Sequence, residues 1–210
     1  MKKVDRFFSE EEKKRIEEAV KAVECCTIGE VAVMVVESSE EYREASLLGG
    51  ILFAAMTAYA ITEIFFNASL TFFIPLCLLL TFPFKMLFSS LPALRTAFIG
   101  LRRKEEAVRN RAVRAFFEKG LYKTKANTGV LFFLSLLERR VWVLADKGIY
   151  EKIDQETLNR FAATVSEGIK ERRACDALCS AINDAGKALS LHFPIEPGDT
   201  NELPNAVITE

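Results

Sequence analysis

The sequence has a single histidine, His192, and none of the residue spacings that announce common catalytic or nucleotide-binding sites. There is no Walker A loop, GxGxxG turn, GxSxG elbow or HExxH helix, so the enzyme classes defined by those motifs are set aside. His192 sits in LHFP with no serine or cysteine paired to it nearby in sequence, which reads as a packed or exposed side chain. Five cysteines in 210 residues are too sparse for a disulfide scaffold, and their number is odd. Cys25 and Cys26 are adjacent, and Cys175 and Cys179 share a helix face. Neither pair has zinc spacing, and the second reads as small core residues. Excess charge of one sign is also missing. Against 28 Lys and Arg stand 29 Asp and Glu, a net charge of −1 that excludes a nucleic-acid binder working by phosphate neutralisation. The amino-terminal MKKVDRFFSEEEKKR lacks the apolar core and cleavage site of a signal peptide.

Charge is absent from one long stretch. Residues 45–94 hold only Glu63 and Lys85, whereas the other 160 positions carry 55 of the 57 charged residues, about 34%, which is high for a globular domain. Two apolar runs fill the stretch. The first, residues 47–66, is long enough for about 30 Å of helix, the thickness of a hydrocarbon core. The second covers residues 70–91 and includes Pro75, Pro83 and Lys85; the prolines should kink or shorten it. Only Asn67-Ala68-Ser69 separates them, which forces an antiparallel hairpin with both ends on one side. Folded about Ala68, Glu63 falls near the tip and Lys85 near the base, about 18 Å apart in depth. Each is expected to snorkel to its own interface. Arg43, Arg95, Arg102, Arg103 and Lys104 flank the base while the tip has no Lys or Arg. The positive-inside rule then puts the soluble part in the cytoplasm, on an integral protein of the cytoplasmic membrane.

The polar remainder shows local signals. Ser9 followed by Glu12 is a capping box, and Ile16, Ala19, Val20 and Val23 mark one apolar helix face. EVAVMVV, residues 30–36, is apolar at consecutive positions, the mark of a strand covered on both sides. After the hairpin come a basic helix over 101–119 ended by Gly120, two strands over 129–136 and 140–145 joined by a tight turn, and two helices. Asp154 caps the first of these. The order α-β-hairpin-α-β-β-α-α predicts an α/β fold, a three-layer α/β/α sandwich around a small mixed sheet with an inserted transmembrane helical hairpin. The division expected is 1–44 and 95–193 for the α/β domain, 45–94 for the hairpin and 194–210 for an extended carboxy-terminal tail.

Few residues qualify for chemistry. Asp146, in LADKG, ends the second hairpin strand, where ligands often sit in α/β sheets, although an aspartate capping the turn beside Gly148 reads more simply. The tail EPGDTNELPN offers Glu196, Asp199, Asn201 and Glu202, oxygen ligands suited to a hard cation but without EF-hand spacing. Asp146, Asp199 and Glu202 are the candidate metal ligands if they converge, for calcium or magnesium; no catalytic residue is assigned.

Three segments of the chain resemble a known family. The acidic capped first helix, the apolar strand after Gly29-Glu30, and above all TGVLFFLSLLERRVWVLADKGI are similar to the TPM domain, with NELPN as an echo of its bacterial membrane-associated branch. The resemblance covers residues 7–37 and 105–193. It implies an α/β/α sandwich and a role beside membrane complexes, as in photosystem II repair and acetylcholine-receptor auxiliary proteins. For some members it also implies weak acid phosphatase activity and calcium binding. The expectation is a membrane-anchored interaction or accessory module without catalytic activity. Its partners are the lipid bilayer and other membrane proteins, not nucleic acid, with a homo-oligomer through the hairpin left open. The alternative is a metal-dependent phosphomonoesterase using Asp146 with Asp199 or Glu202, with Lys147 meeting a phosphate oxygen.

Overall fold

The computed structural model describes residues 4–67, 69–124, 126–195 and 201–210. Ala68 at the hairpin tip and Glu196, Pro197 and Asp199 of the tail lie outside the described residues, as does the side chain of Arg95. The chain divides into two compact units, residues 1–39 with 105–210, and residues 40–104.

In the first unit, Ser9 caps α1 (Glu10–Glu24). Its hydroxyl accepts the Glu12 amide at 3.1 Å, and the Glu12 carboxylate accepts the Ser9 amide at 2.8 Å. β1 (Glu30–Val36) is buried at every position. The second unit supplies α2 (Arg43–Phe66), α3 (Leu70–Ser90) and α4 (Pro92–Ala97). Then follow α5 (Leu101–Glu118), β2 (Gly129–Ser135), β3 (Arg140–Ala145), α6 (Lys147–Tyr150), α7 (Gln155–Lys170), α8 (Ala174–His192) and β4 (Ile208–Thr209).

The strand order is β3-β2-β1-β4. β1 runs parallel to β2, with Glu30 opposite Gly129 and Val36 opposite Ser135, while β2 and β3 are antiparallel. Alternation along each strand sends side chains to opposite faces. On one face Val31, Val33, Val35, Phe132, Leu134 and Val143 pack with α1, α7 and α8. On the other, Ala32, Met34, Leu131 and Phe133 pack with Val108, Ala112, Ala115 and Phe116 of α5. This is the three-layer mixed-sheet sandwich that the sequence predicts. The layers are unequal: three helices cover one face and a single helix the other, which leaves Trp142 and Leu144 of β3 only half-buried. The tail, expected to be simply extended, ends in a strand. Ile208 and Thr209 pair in parallel with Met34 and Val35, and the Glu210 amide donates to Val35 O at 3.1 Å.

In the second unit, α2 presents Gly50, Ala54, Ala58 and Thr62, four residues apart and all buried. These small side chains let α3 approach closely. A Cβ at Gly50 would fall 2.8 Å from the Lys85 backbone nitrogen, and one at Gly49 would fall 2.5 Å from the Phe88 ring. That pairing places Lys85 one residue from its expected level opposite Ile51. α3 runs through both Pro75 and Pro83. Each proline removes one hydrogen bond, and those on either side carry the helix past it. Phe66 and Phe72 stack near the tip with ring centroids 4.4 Å apart. At the base, Arg103 donates to Glu40 at 2.6 Å, and Lys85 lines a cavity with Glu41 and Glu44.

Candidate functional site

Because β1 and β2 are parallel, their amino ends share one edge of the sheet, and antiparallel β3 brings its carboxyl end to the same edge. Asp146 follows Ala145 there. Its amide donates to Gly129 O at 2.8 Å, and its Oδ1 accepts the Lys147 amide at 2.7 Å, capping α6. The simpler sequence reading, a capping aspartate, therefore describes Oδ1. Oδ2 is shielded from solvent and has no hydrogen-bond partner among the described residues. Gly148 is required just beyond, since a Cβ there would sit 2.7 Å from Asn127 O and 2.8 Å from Ala126 O. Asp146 does lie at the carboxyl end of a strand, but its neighbours are the amino ends of a parallel pair. The setting differs from the carboxyl-edge crevice of a doubly wound sheet.

The same edge holds two glutamates that sequence reasoning did not single out. Glu30, only 4% exposed, accepts the Glu202 amide at 3.0 Å through Oε1. Half-buried Glu24, the last residue of α1, accepts the Val31 amide at 3.2 Å and the side-chain amide of Asn205. The ELPN segment is thus tied by its main chain and by Asn205 to carboxylates of α1 and β1. Burial, reinforced by the neighbouring Glu30, pushes the Glu24 carboxyl up to about 7. A carboxylate at a helix carboxyl end also opposes the macrodipole, and that is the signal by which the sequence could have flagged it.

A raised folded-state value means that the native protein holds the proton more tightly than the unfolded chain. The stabilisation is complete below the unfolded value of 4.5 and disappears as pH rises to about 7. Wild type should lose about 1–2 kcal/mol relative to Glu24→Gln across that window. This is a discounted fraction of the 1.36 kcal/mol per pH unit, because the group is partly open to water. Urea unfolding of both proteins at several pH values checks this; a pH-independent difference would exclude burial of Glu24 as the cause.

The candidate metal ligands divide. Asp146 and Glu202 lie at one edge, joined through Gly129, its register partner Glu30, and the Glu202 amide. Asp199 lies outside the described residues. Among the described residues no three His, Cys, Asp or Glu side chains come together as a metal-binding group. The described side chains alone do not fit a divalent cation, and no catalytic step is derived through one. Cys175 is buried and Cys179 half-buried on α8, and burial pushes the Cys175 thiol up to about 12, which suits a packing role. His192 ends α8 and is exposed.

No curated protein matches the chain. The NMR structure of BA42 protein from the psychrophilic bacterium Bizionia argentinensis is similar in fold, with a TM-score of 0.63 at 20% identity and 100% of each chain covered. The family model of the TPM domain matches residues 96–188, from the end of α4 through most of α8. That span contains the two-stranded GVLFFLSLLERRVWVLA unit and Asp146. Over residues 96–188 the chain is thus similar to the TPM domain.

Proposed function

We propose that the chain is a membrane-anchored accessory module. In this reading α2 and α3 span the bilayer, and the TPM domain works from the cytoplasmic side beside other membrane proteins. The supporting observation is the outer surface of the hairpin. Leu48, Met56, Ile64, Phe65, Leu78 and Phe82 are between 62% and 74% exposed, and an 18-residue stretch of α3 has mean hydropathy 1.9. In water so large an apolar surface is costly, whereas acyl chains cover it without penalty. Helices of 24 and 21 residues reach about 36 and 32 Å, enough to cross. The hairpin also falls between β1 and α5 in chain order, so two connections lead from the soluble unit to it. That arrangement suits a domain whose work is done at the membrane surface.

Cysteine labelling tests the topology. In a background without native cysteines, Ala68→Cys should react with an impermeant reagent on intact cells, and Ser38→Cys only after lysis. The reverse pattern overturns the orientation; no outside reaction at position 68 means the hairpin dips without crossing. A photo-crosslinker at Leu78 should yield discrete adducts with membrane proteins. Adducts with lipid alone would remove the accessory role. Hydrolysis of p-nitrophenyl phosphate by the purified chain, lost in Asp146→Ala, would move the reading to a phosphomonoesterase.

A further inference from the structure

Because α5 alone covers its face of the sheet, the surface of edge strand β3 on that side is left open beside α5 and the segment leading into α7. A cavity of about 320 Å³ lies there, lined by Arg109 and Val113 of α5, Trp142 and Leu144 of β3, Tyr150 of α6, and Gln155 and Asn159 of α7. That is the lower end of the range for small-molecule sites. Its walls combine two chemistries. Val113, Leu144 and the indole of Trp142 form an apolar side. Arg109, Tyr150, Asn159 and the indole N–H supply donors, and among the described residues no carboxylate lines the cavity.

The donors are uncommitted. Arg111, further along α5, and Lys119, just past its end, are engaged by Glu210, and Arg140 by Glu105. The Arg109 side chain has no ion pair or hydrogen bond among the described residues, and neither do the Tyr150 hydroxyl and the Trp142 indole. Gln155 donates to the Asn159 carbonyl oxygen at 3.0 Å, which orients Asn159 and leaves its amide hydrogens available. One guanidinium with several neutral donors matches the oxygens of a single carboxylate or phosphate group. The indole beside it favours a flat apolar body.

We infer that this cleft binds a small organic anion, an oxyanion group held by Arg109 with a flat apolar body lying against Trp142 and Leu144. The site is separate from the Asp146 edge, and it holds whether or not the hairpin spans a bilayer. Trp142 is the chain's single tryptophan, so its fluorescence reports the site directly. The full chain in detergent is titrated with benzoate, phenyl phosphate, inorganic phosphate and benzyl alcohol.

Benzoate or phenyl phosphate should change Trp142 emission saturably at up to millimolar concentration. Arg109→Gln should weaken that binding at least about tenfold, the value of one charge-assisted contact. Benzyl alcohol, lacking the charge, and inorganic phosphate, lacking the ring, should bind at least as much more weakly. Four results would each overturn the assignment: no saturable change with either aromatic anion, undiminished binding in Arg109→Gln, equal binding of benzyl alcohol, or equal binding of inorganic phosphate. Arg109 is exposed on its helix, so the variant should fold, and an unchanged far-ultraviolet circular dichroism spectrum verifies that.

Discussion

Phe132→Ala is expected to cost the soluble unit about 3–5 kcal/mol, a large part of the 5–15 kcal/mol by which domains are typically stable. Phe132 is fully buried at the middle of β2, on the face covered by α1, α7 and α8. Truncation removes the transfer energy of a ring and leaves a cavity that regular strands and helices cannot close. Urea unfolding should show a lower midpoint with an unchanged slope. Phe117→Ala, at a position 58% exposed on α5, should change stability by no more than about 0.5 kcal/mol. Equal losses at the two sites would mean that the three-helix face is not the main core.

The second large effect belongs to the hairpin. Gly50→Leu places a side chain where even its Cβ would lie 2.8 Å from the nitrogen and 2.9 Å from the Cα of Lys85. Those are backbone atoms and cannot swing aside, so α2 and α3 must separate or slide. Overpacking of this kind costs about 1–3 kcal/mol, and it also forfeits the close contacts along Ala54 and Ala58. Between apolar helices in an apolar medium such packing is the main attraction. Unfolding of the full chain in mixed micelles by added sodium dodecyl sulfate should show an earlier hairpin transition for Gly50→Leu. Gly100→Ala, where a Cβ meets nothing within 4 Å, should match wild type. Coincident transitions for all three would show that the small-residue stripe does not set the helix approach.

Features carried by neighbouring residues were the legible ones. The Ser9–Glu12 box, the Asp154 cap, the apolar run of β1 and the capped turn at Asp146 each depend on atoms a few positions apart, and each forms as the residues suggest. The short Asn67–Ser69 link likewise required a hairpin. Features made by distant segments were not legible. β4 is only two residues long and has no strand pattern of its own; it exists because the edge of β1 offers unpaired backbone groups and Glu210 is anchored by Arg111 and Lys119. Glu24, Glu30 and Asn205 meet across most of the chain's length. The Arg109–Trp142 cleft arises because one helix covers a face that three would fill, and no single segment records that imbalance.

The pairing of Glu30 with Gly129 bears on how the protein is made. β1 leaves the ribosome about 100 residues before its partner, and at about 5–20 residues per second it waits on the order of 5–20 s. During that interval the nascent chain exposes seven consecutive residues of EVAVMVV with no sheet to join. The hairpin emerges next, so both of its apolar helices are complete before the sheet can close. Chain order therefore sets the order of assembly: the apolar hairpin is made first and the sheet closes second, with an aggregation-prone strand waiting between them.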